Sequence, residues 1–300
     1  TEAKLREVFN KAMALPIEKP TEKEASTFAY DKIGEAGSIT NREDIPDIGV
    51  TKLVLSNGVK VNLKPTDFLK GSIHVAAAVD GGFLQMPNLK AGIHTFVDTV
   101  VSQGGLQAHS ADELESLMAG KQIGDNFSTS QDRFTYSGTT NAQDFETQCK
   151  LLVANILHPG FRPDGETLLR RRLDSFYTRL ETTPDGAYNM QMPRELFGED
   201  VRFVLPKREE LESVSTADVK ASVENALQTG AIEVTIVGDF KVDDIIPVIT
   251  RTFGAMPQRK SEFAKIDDAL RTVTFRPWGQ RKFFTYDTQL DKTLVTQIRP

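Results

Sequence analysis

Residues 92–105 of this chain read Gly92-Ile93-His94-Thr95-Phe96-Val97-Asp98-Thr99-Val100-Val101-Ser102-Gln103-Gly104-Gly105. This stretch predicts a helix near positions 91–103. Residues four positions apart on a helix share one face, so His94 and Asp98 are expected on the same side. Thr95 and Thr99 have the same spacing. These four polar side chains are therefore expected on one side of the predicted helix.

Upstream of this helix the sequence predicts three strands. Alternating apolar runs flank Asn57-Gly58, and this dipeptide is the strongest short signal for a β-hairpin. A third apolar run at 73–79 leads into the glycine pair Gly81-Gly82. The order is therefore strand, hairpin, strand, strand, glycine pair and helix.

Downstream, the patterns alternate between runs of strands and runs of helices. Ser110 is a predicted helix N-cap, with Glu113 at the spacing of a capping box. Helices are predicted near 111–119, 142–157, 164–181, 216–228 and 241–253, and strands near 122–129, 133–139 and 231–237. Strict strand–helix–strand units are absent. This favours an α+β fold, a two-layer sandwich with a mainly antiparallel sheet and helices packed on one face.

The ordered series resembles a domain of the insulinase/pitrilysin family of zinc metallopeptidases. The resemblance continues through Ile123-Gly124-Asp125-Asn126-Phe127-Ser128-Thr129-Ser130, Asn155-Ile156-Leu157-His158-Pro159-Gly160-Phe161 and Val234-Thr235-Ile236-Val237-Gly238-Asp239-Phe240. It is closest to the degenerate second half of the long bacterial, PqqL-like members, whose first half is active. The resemblance implies a metallopeptidase-like half-domain at 48–257. It also implies an interdomain helix and linker at 1–47, and a linker with the truncated start of a following domain at 258–300.

The resemblance fails at the zinc chemistry. An active helix of this type carries His-x-x-Glu-His, in which the two histidines hold zinc and the glutamate polarises the bound water. The matching positions here read Thr95-Phe96-Val97-Asp98-Thr99. Threonine cannot replace an imidazole ligand, and aspartate is one methylene shorter than glutamate.

The resemblance also implies a third ligand, a glutamate on the later long helix. Residues 167–180 contain no glutamate, and Asp174 is their only acid. Glu166 and Glu181 lie at the two ends of that helix. We therefore expect no catalytic, cofactor-binding or metal-binding residue in this chain, with zinc in the active half of the parent protein.

Two other functions stay open from the residues. His94, Asp98 and His109 could together hold zinc in an independent enzyme. The plainer expectation is that His94 hydrogen-bonds Asp98 or solvent at the start of the helix. The second alternative is a purely architectural, peptide-binding subunit.

Composition narrows the possible partners. The net charge of -6 argues against nucleic acid or anionic membrane, and residues 170–172, an arginine run, are read as a solvated helix face. Cys149 is the only cysteine and falls at helical spacing with Leu152 and Ile156, so it is expected to be buried. No run is apolar enough to predict a membrane span.

The expected function follows from the resemblance. The chain would shape a peptide chamber, bind extended peptide along a sheet edge, and leave proteolysis to a catalytic half of the same protein or to a partner subunit. Its compartment is not given by the sequence, although the resemblance suggests the periplasm or cell envelope. New strands are predicted within 281–298.

Overall fold

The computed structural model describes residues 2–13, 27–86, 90, 92–277, 282–285 and 293–296. Its strands are β1 (Ile39–Ile45), β2 (Val50–Leu55), β3 (Lys60–Pro65), β4 (Ile73–Asp80), β5 (Asn126–Thr129), β6 (Arg133–Thr140) and β7 (Ile232–Gly238). They form a seven-stranded sheet in the order β1-β2-β3-β7-β4-β6-β5. Neighbouring strands are antiparallel except β3 and β7, which run parallel. The predicted mainly antiparallel sheet is confirmed.

The helices of the described ranges are α1 (Glu2–Met13), α2 (Ile93–Gln103), α3 (Ala111–Met118), α4 (Phe145–Leu157), α5 (Asp164–Thr182), α6 (Pro184–Phe197), α7 (Arg208–Glu212), α8 (Thr216–Thr229), α9 (Val242–Arg251) and α10 (Asp268–Arg271). Helices α4 and α8 both pack on the central strand β4, and α2 contacts β5. None of these described helices has the length and apolar character that a bilayer span requires.

Buried and exposed residues alternate along the central strands, which explains why helices cover one face of the sheet. In β4, Ile73 and Val75 are buried, whereas His74 between them is exposed. Alternate side chains of a strand point to opposite faces, so the buried set packs under the helices. This is the predicted α+β, two-layer sandwich. Cys149 of α4 is buried in its core, as expected, and burial raises the pKa of its thiol.

The predicted hairpin joins β2 to β3. Gly58 has φ +88°, a conformation that glycine adopts at little cost, and its amide donates to the Leu55 carbonyl at 2.9 Å. The Asn57 side chain is buried and donates from Nδ2 to the Phe253 and Met256 carbonyls at 2.8 and 3.1 Å. The same dipeptide that forms the turn therefore also anchors the chain that follows α9.

The segment 1–47 was expected to hold an interdomain helix and a linker, but its described part also contains the edge strand β1. This strand pairs with β2, from Ile45 opposite Val50 to Ile39 opposite Leu55. Its five central residues are exposed, so it lacks the apolar alternation by which a strand is predicted. Backbone pairing, which leaves no signal in the side chains, makes this segment a strand.

Other departures lie toward the C-terminus. Helix α6 was not predicted; it begins where the Thr183 hydroxyl accepts the Gly186 amide at 3.1 Å, and its buried residues are small. The segment 258–300, expected to begin with a linker, includes the short helix α10. Of the strands expected within 281–298, the described residues 282–285 and 293–296 have no regular secondary structure, and the rest lie outside the described ranges.

Candidate functional site

Helix α2 has one face in the core and one polar face. The core face consists of Ile93, Phe96, Val97, Val100 and Val101, all buried. The polar face consists of His94, Thr95, Asp98 and Thr99, which are partly buried, and Ser102, which is exposed. Because an α-helix has 3.6 residues per turn, these positions form one continuous stripe.

The polar face of α2 does not fit the zinc ion that the family resemblance implies. Thiolate, imidazole and carboxylate groups hold zinc in proteins, whereas Thr95 and Thr99 offer only hydroxyls. Across the residues that the structure describes, no three His, Cys, Asp or Glu side chains are grouped so that they could hold a metal ion. No hydrolytic step can therefore be derived through a metal at this face.

Asp98, at the position of the general base, is bound to the edge of the sheet. Its Oδ1 accepts a hydrogen bond from the Thr129 hydroxyl of β5 at 2.7 Å. Burial raises the pKa of Asp98, and bonds from the hydroxyl and the backbone of Thr129 oppose this rise. The carboxyl group thus joins α2 to β5.

His94 lies beside Asp98 without bonding to it. Its Nδ1 is buried and has no hydrogen-bond partner, and the Phe83 ring meets the imidazole edge-on at 6.0 Å between centroids. Burial lowers the pKa of His94, which favours the neutral ring. His94 Nδ1 does not form the bond to Asp98 that their spacing allowed, and the Asp98 carboxyl bonds Thr129.

The N-terminus of α5 lies directly against α2. A Cβ at Gly165 would come 2.8 Å from the Thr99 carbonyl oxygen and 2.7 Å from the Val100 Cα, so only glycine permits this approach. This contact places α5 where the resemblance expects the third ligand. Within this helix, glutamate occurs only near the two ends, as Glu166 and Glu181, and not at residues 167–180.

The acids of α5 serve other contacts. Glu166 accepts the amide and the hydroxyl of Thr216 at 2.8 and 2.9 Å, and so caps the N-terminus of α8. Burial raises the pKa of Glu166, but the bonds from Thr216 and Arg170 outweigh it and the pKa is lowered. Asp174 accepts from Arg208, and Glu181 is exposed at the opposite end of the helix.

His109, the third residue of the alternative zinc trio, is committed elsewhere. It is buried, its Nε2 accepts the Ala29 amide at 2.9 Å, and its ring stacks on Phe28 at 5.8 Å. His158 likewise stacks on Tyr30 at 4.7 Å. These imidazoles hold the chain that precedes β1 against the domain, and His109 does not join His94 and Asp98 in a metal-binding group.

One buried residue near the site was missed from the sequence. Gln148 of α4 is fully buried and holds both backbone groups of Gly124: Oε1 accepts the amide at 2.8 Å, and Nε2 donates to the carbonyl at 2.7 Å. The signal was present, because Gln148 interrupts an apolar stripe beside Cys149. A buried polar side chain requires partners, and here they are the residues that lead into β5.

Strand β5 forms the edge of the sheet beside α2. The Ser130 amide donates to the Arg133 carbonyl at 2.9 Å, so Ser130 faces β6. Backbone groups alternate in direction along an antiparallel pair, which turns those of Phe127 and Thr129 away from β6. Beside this edge, Asp98 accepts the hydroxyl of Thr129. The amide and carbonyl of Phe127 thus point away from β6, and the residue as a whole is buried.

Solved structures share this architecture. The periplasmic protease PqqL from Escherichia coli matches with a TM-score of 0.67 and 20% identity, over 90% of this chain and 29% of that chain. A peptidase M16 inactive domain from Pseudomonas fluorescens matches with a TM-score of 0.57 and 15% identity, over 73% of this chain and 53% of that chain. The chain has the fold of an insulinase-like peptidase half-domain. The fold expected from the family resemblance is confirmed.

The chain is also similar in sequence to part of a longer protein. The chloroplastic stromal processing peptidase of Oryza sativa subsp. indica is 21% identical over 277 residues, which cover 89% of this chain and 22% of that protein. The chain thus spans about a fifth of the length of that relative. No family model matches the chain.

Proposed function

We propose that this chain is a non-catalytic half of a larger insulinase-like zinc peptidase. It forms one wall of the peptide chamber and holds extended peptide at the edge of β5, and another half supplies zinc and proteolysis. The observation that carries this proposal is the polar face of α2. Its two ligand positions hold Thr95 and Thr99, and its acid, Asp98, is bonded to the sheet.

The edge of β5 supports the peptide-binding part of the proposal. An extended peptide can add to an exposed strand through main-chain hydrogen bonds, which tolerate many side chains. The outward backbone groups of Phe127 are suited to this pairing, and Asp98 limits it at Thr129. Because β5 has only four residues, the pairing is short and binding is expected to be weak and reversible.

The test separates binding from cleavage. Fluorescein-labelled ten-residue peptides of high β-propensity are titrated with the purified chain, and anisotropy reports binding while mass spectrometry reports cleavage. We expect saturable binding, intact peptide after long incubation, and no change when a zinc chelator is added. Cleavage that the chelator abolishes would contradict the proposal and favour the independent zinc enzyme.

Backbone methylation provides the matched control for the edge. Two versions of the peptide carry N-methyl groups on alternate residues, one on each of the two possible sets. Strand addition uses only one set of amides, so we expect one version to lose binding and the other to keep it. Equal affinities of the two versions would show that the peptide does not pair with a strand.

A further inference from the structure

A groove opens beside the start of β5. It has a volume of about 420 Å³ and lies between the C-terminus of α2, the helix α3 and the chain that leads into β5. Leu114, Met118 and Ile123 give it an apolar lining, and they belong to a small hydrophobic cluster that supports α3. A long side chain with an aliphatic stem would suit such a lining.

Two carboxyl groups border the groove. Glu115 of α3 is exposed, and Asp125 directly precedes β5. Asn155 of α4 donates to Asp125 at 2.8 Å, which holds this carboxyl in place. Asp125 lies at the surface, yet packing around the carboxyl raises its pKa to about 6 through burial, against the opposing bond from Asn155. A bound cation would favour its ionised form.

The groove also contains one basic side chain, Lys121. When both acids are ionised, as at neutral pH, the border of the groove has a net negative charge. The groove is continuous with β5, because Asp125 and Asn126 are consecutive. Side chains on one face of an extended peptide repeat about every 6.8 Å, so one of them can reach the groove while the backbone pairs at Phe127.

We propose that this groove is a subsite for a lysine or arginine side chain of an extended peptide bound at β5, with its aliphatic stem on Leu114 and Met118 and its cationic end at Asp125 and Glu115. This inference rests on the proposed function, since the peptide must first pair with β5. It names the substrate class that the chain selects: extended peptides with a basic residue.

The test varies the charge of a single peptide side chain. A ten-residue, threonine-rich labelled peptide carries lysine at each position in turn, and the preferred position is then changed to norleucine or glutamate. Norleucine keeps the aliphatic stem and removes the charge. We expect lysine to bind about fivefold more tightly than norleucine, the range of a partly exposed ion pair, with glutamate weakest.

Variants of the groove locate the effect. Asp125→Asn and Glu115→Gln together should abolish the preference for lysine and leave the affinity for norleucine unchanged. Asp112→Asn, an exposed position on α3 that does not line the groove, is the matched control and should keep the preference. Lys121→Glu should increase the preference, and it provides a gain of function that loss of folding cannot imitate.

The outcomes separate the inference from the proposed function. If lysine and norleucine peptides bind equally, the subsite is refuted while peptide binding at β5 stands. A lysine preference that survives the double substitution in a folded protein also refutes it. If no peptide binds at any position, both the proposed function and the subsite fail.

Discussion

The two edges of the sheet are built differently. β1 has seven residues and presents Arg42, Glu43 and Asp44 to solvent. Arg42 bonds Asp44 at 3.3 Å and Asp243 of α9 at 3.0 Å. β5 has four residues and no charged side chain, and its one charged neighbour in the polar face of α2 is Asp98.

This difference assigns the edges different roles. Charged side chains along an edge strand prevent it from pairing with another chain, and β1 has them at its centre. At β5, the Asp98 carboxyl bonds the Thr129 hydroxyl, and Phe127 turns its backbone groups away from β6 although the residue is buried. The edge that is remote from α2 therefore carries charged side chains, whereas β5, the edge beside α2, has none of its own.

The largest expected effect on stability comes from removing the side chain that holds the residues leading into β5. Gln148→Ala leaves both backbone groups of Gly124 without partners and opens a cavity in α4, so we expect the free energy of unfolding to fall by about 3 kcal/mol. Urea unfolding measures this loss, and hydrogen exchange should quicken at 124–129 more than at β1. Gln131→Ala, at an exposed glutamine near the same strand, is the control and should change stability by less than about 0.5 kcal/mol. Equal losses in the two variants would contradict the role given to Gln148.

The second prediction removes the charge protection of β1. Arg42→Val combined with Asp44→Val removes two of the three charges of this edge and should allow two copies to pair, so that light scattering after size exclusion shows dimers or larger species at high concentration. The matched control is Lys220→Val with Glu224→Val, an exposed ion pair on α8, which should not change the mass. Association of both variants would indicate general surface stickiness and not edge pairing.

The smallest effect is a difference in pH dependence. Bonds from Thr51 and then Arg42 lower the pKa of Asp44, so its contribution to stability is present above about pH 4 and is lost as pH falls through the folded pKa. Burial raises the pKa of Asp98, so its contribution is greatest at low pH and is lost as pH rises through the folded pKa.

Asparagine substitutions test these two signs. At neutral pH, Asp44→Asn should be less stable than the parent, and Asp98→Asn should be more stable because it keeps an acceptor for Thr129 without a buried charge. The difference for Asp98→Asn should shrink as pH falls through the raised pKa of Asp98. The difference for Asp44→Asn should persist to lower pH, until pH falls through the lowered pKa of Asp44. Urea midpoints across this range measure them. A loss of stability in Asp98→Asn that grows toward neutral pH would contradict the assignment.

The sequence predicted those helices, strands and turns in which the order of apolar, polar and glycine residues follows the local structure. Helix α2 and the hairpin at Gly58 follow from periodicity and turn chemistry, and the capping box forms as expected, with Glu113 N donating to Ser110 Oγ at 3.2 Å. β1 could not be predicted, because its partner is the backbone of β2 and its side chains remain in water. The groove also lies beyond prediction, since α3 and the chain before β5 meet only in the folded protein.

The sequence alone determined that the two ligand positions are occupied by Thr95 and Thr99 and not by histidine, because the type of residue at a position is a local property of the chain. Only the tertiary structure decided what the remaining acid does. Asp98 shares a helix face with His94, yet it bonds Thr129, which is 31 residues further along the chain. The reason is physical: helical spacing sets which side chains can meet, but the donors that a buried carboxylate finds are set by the strand packed against it.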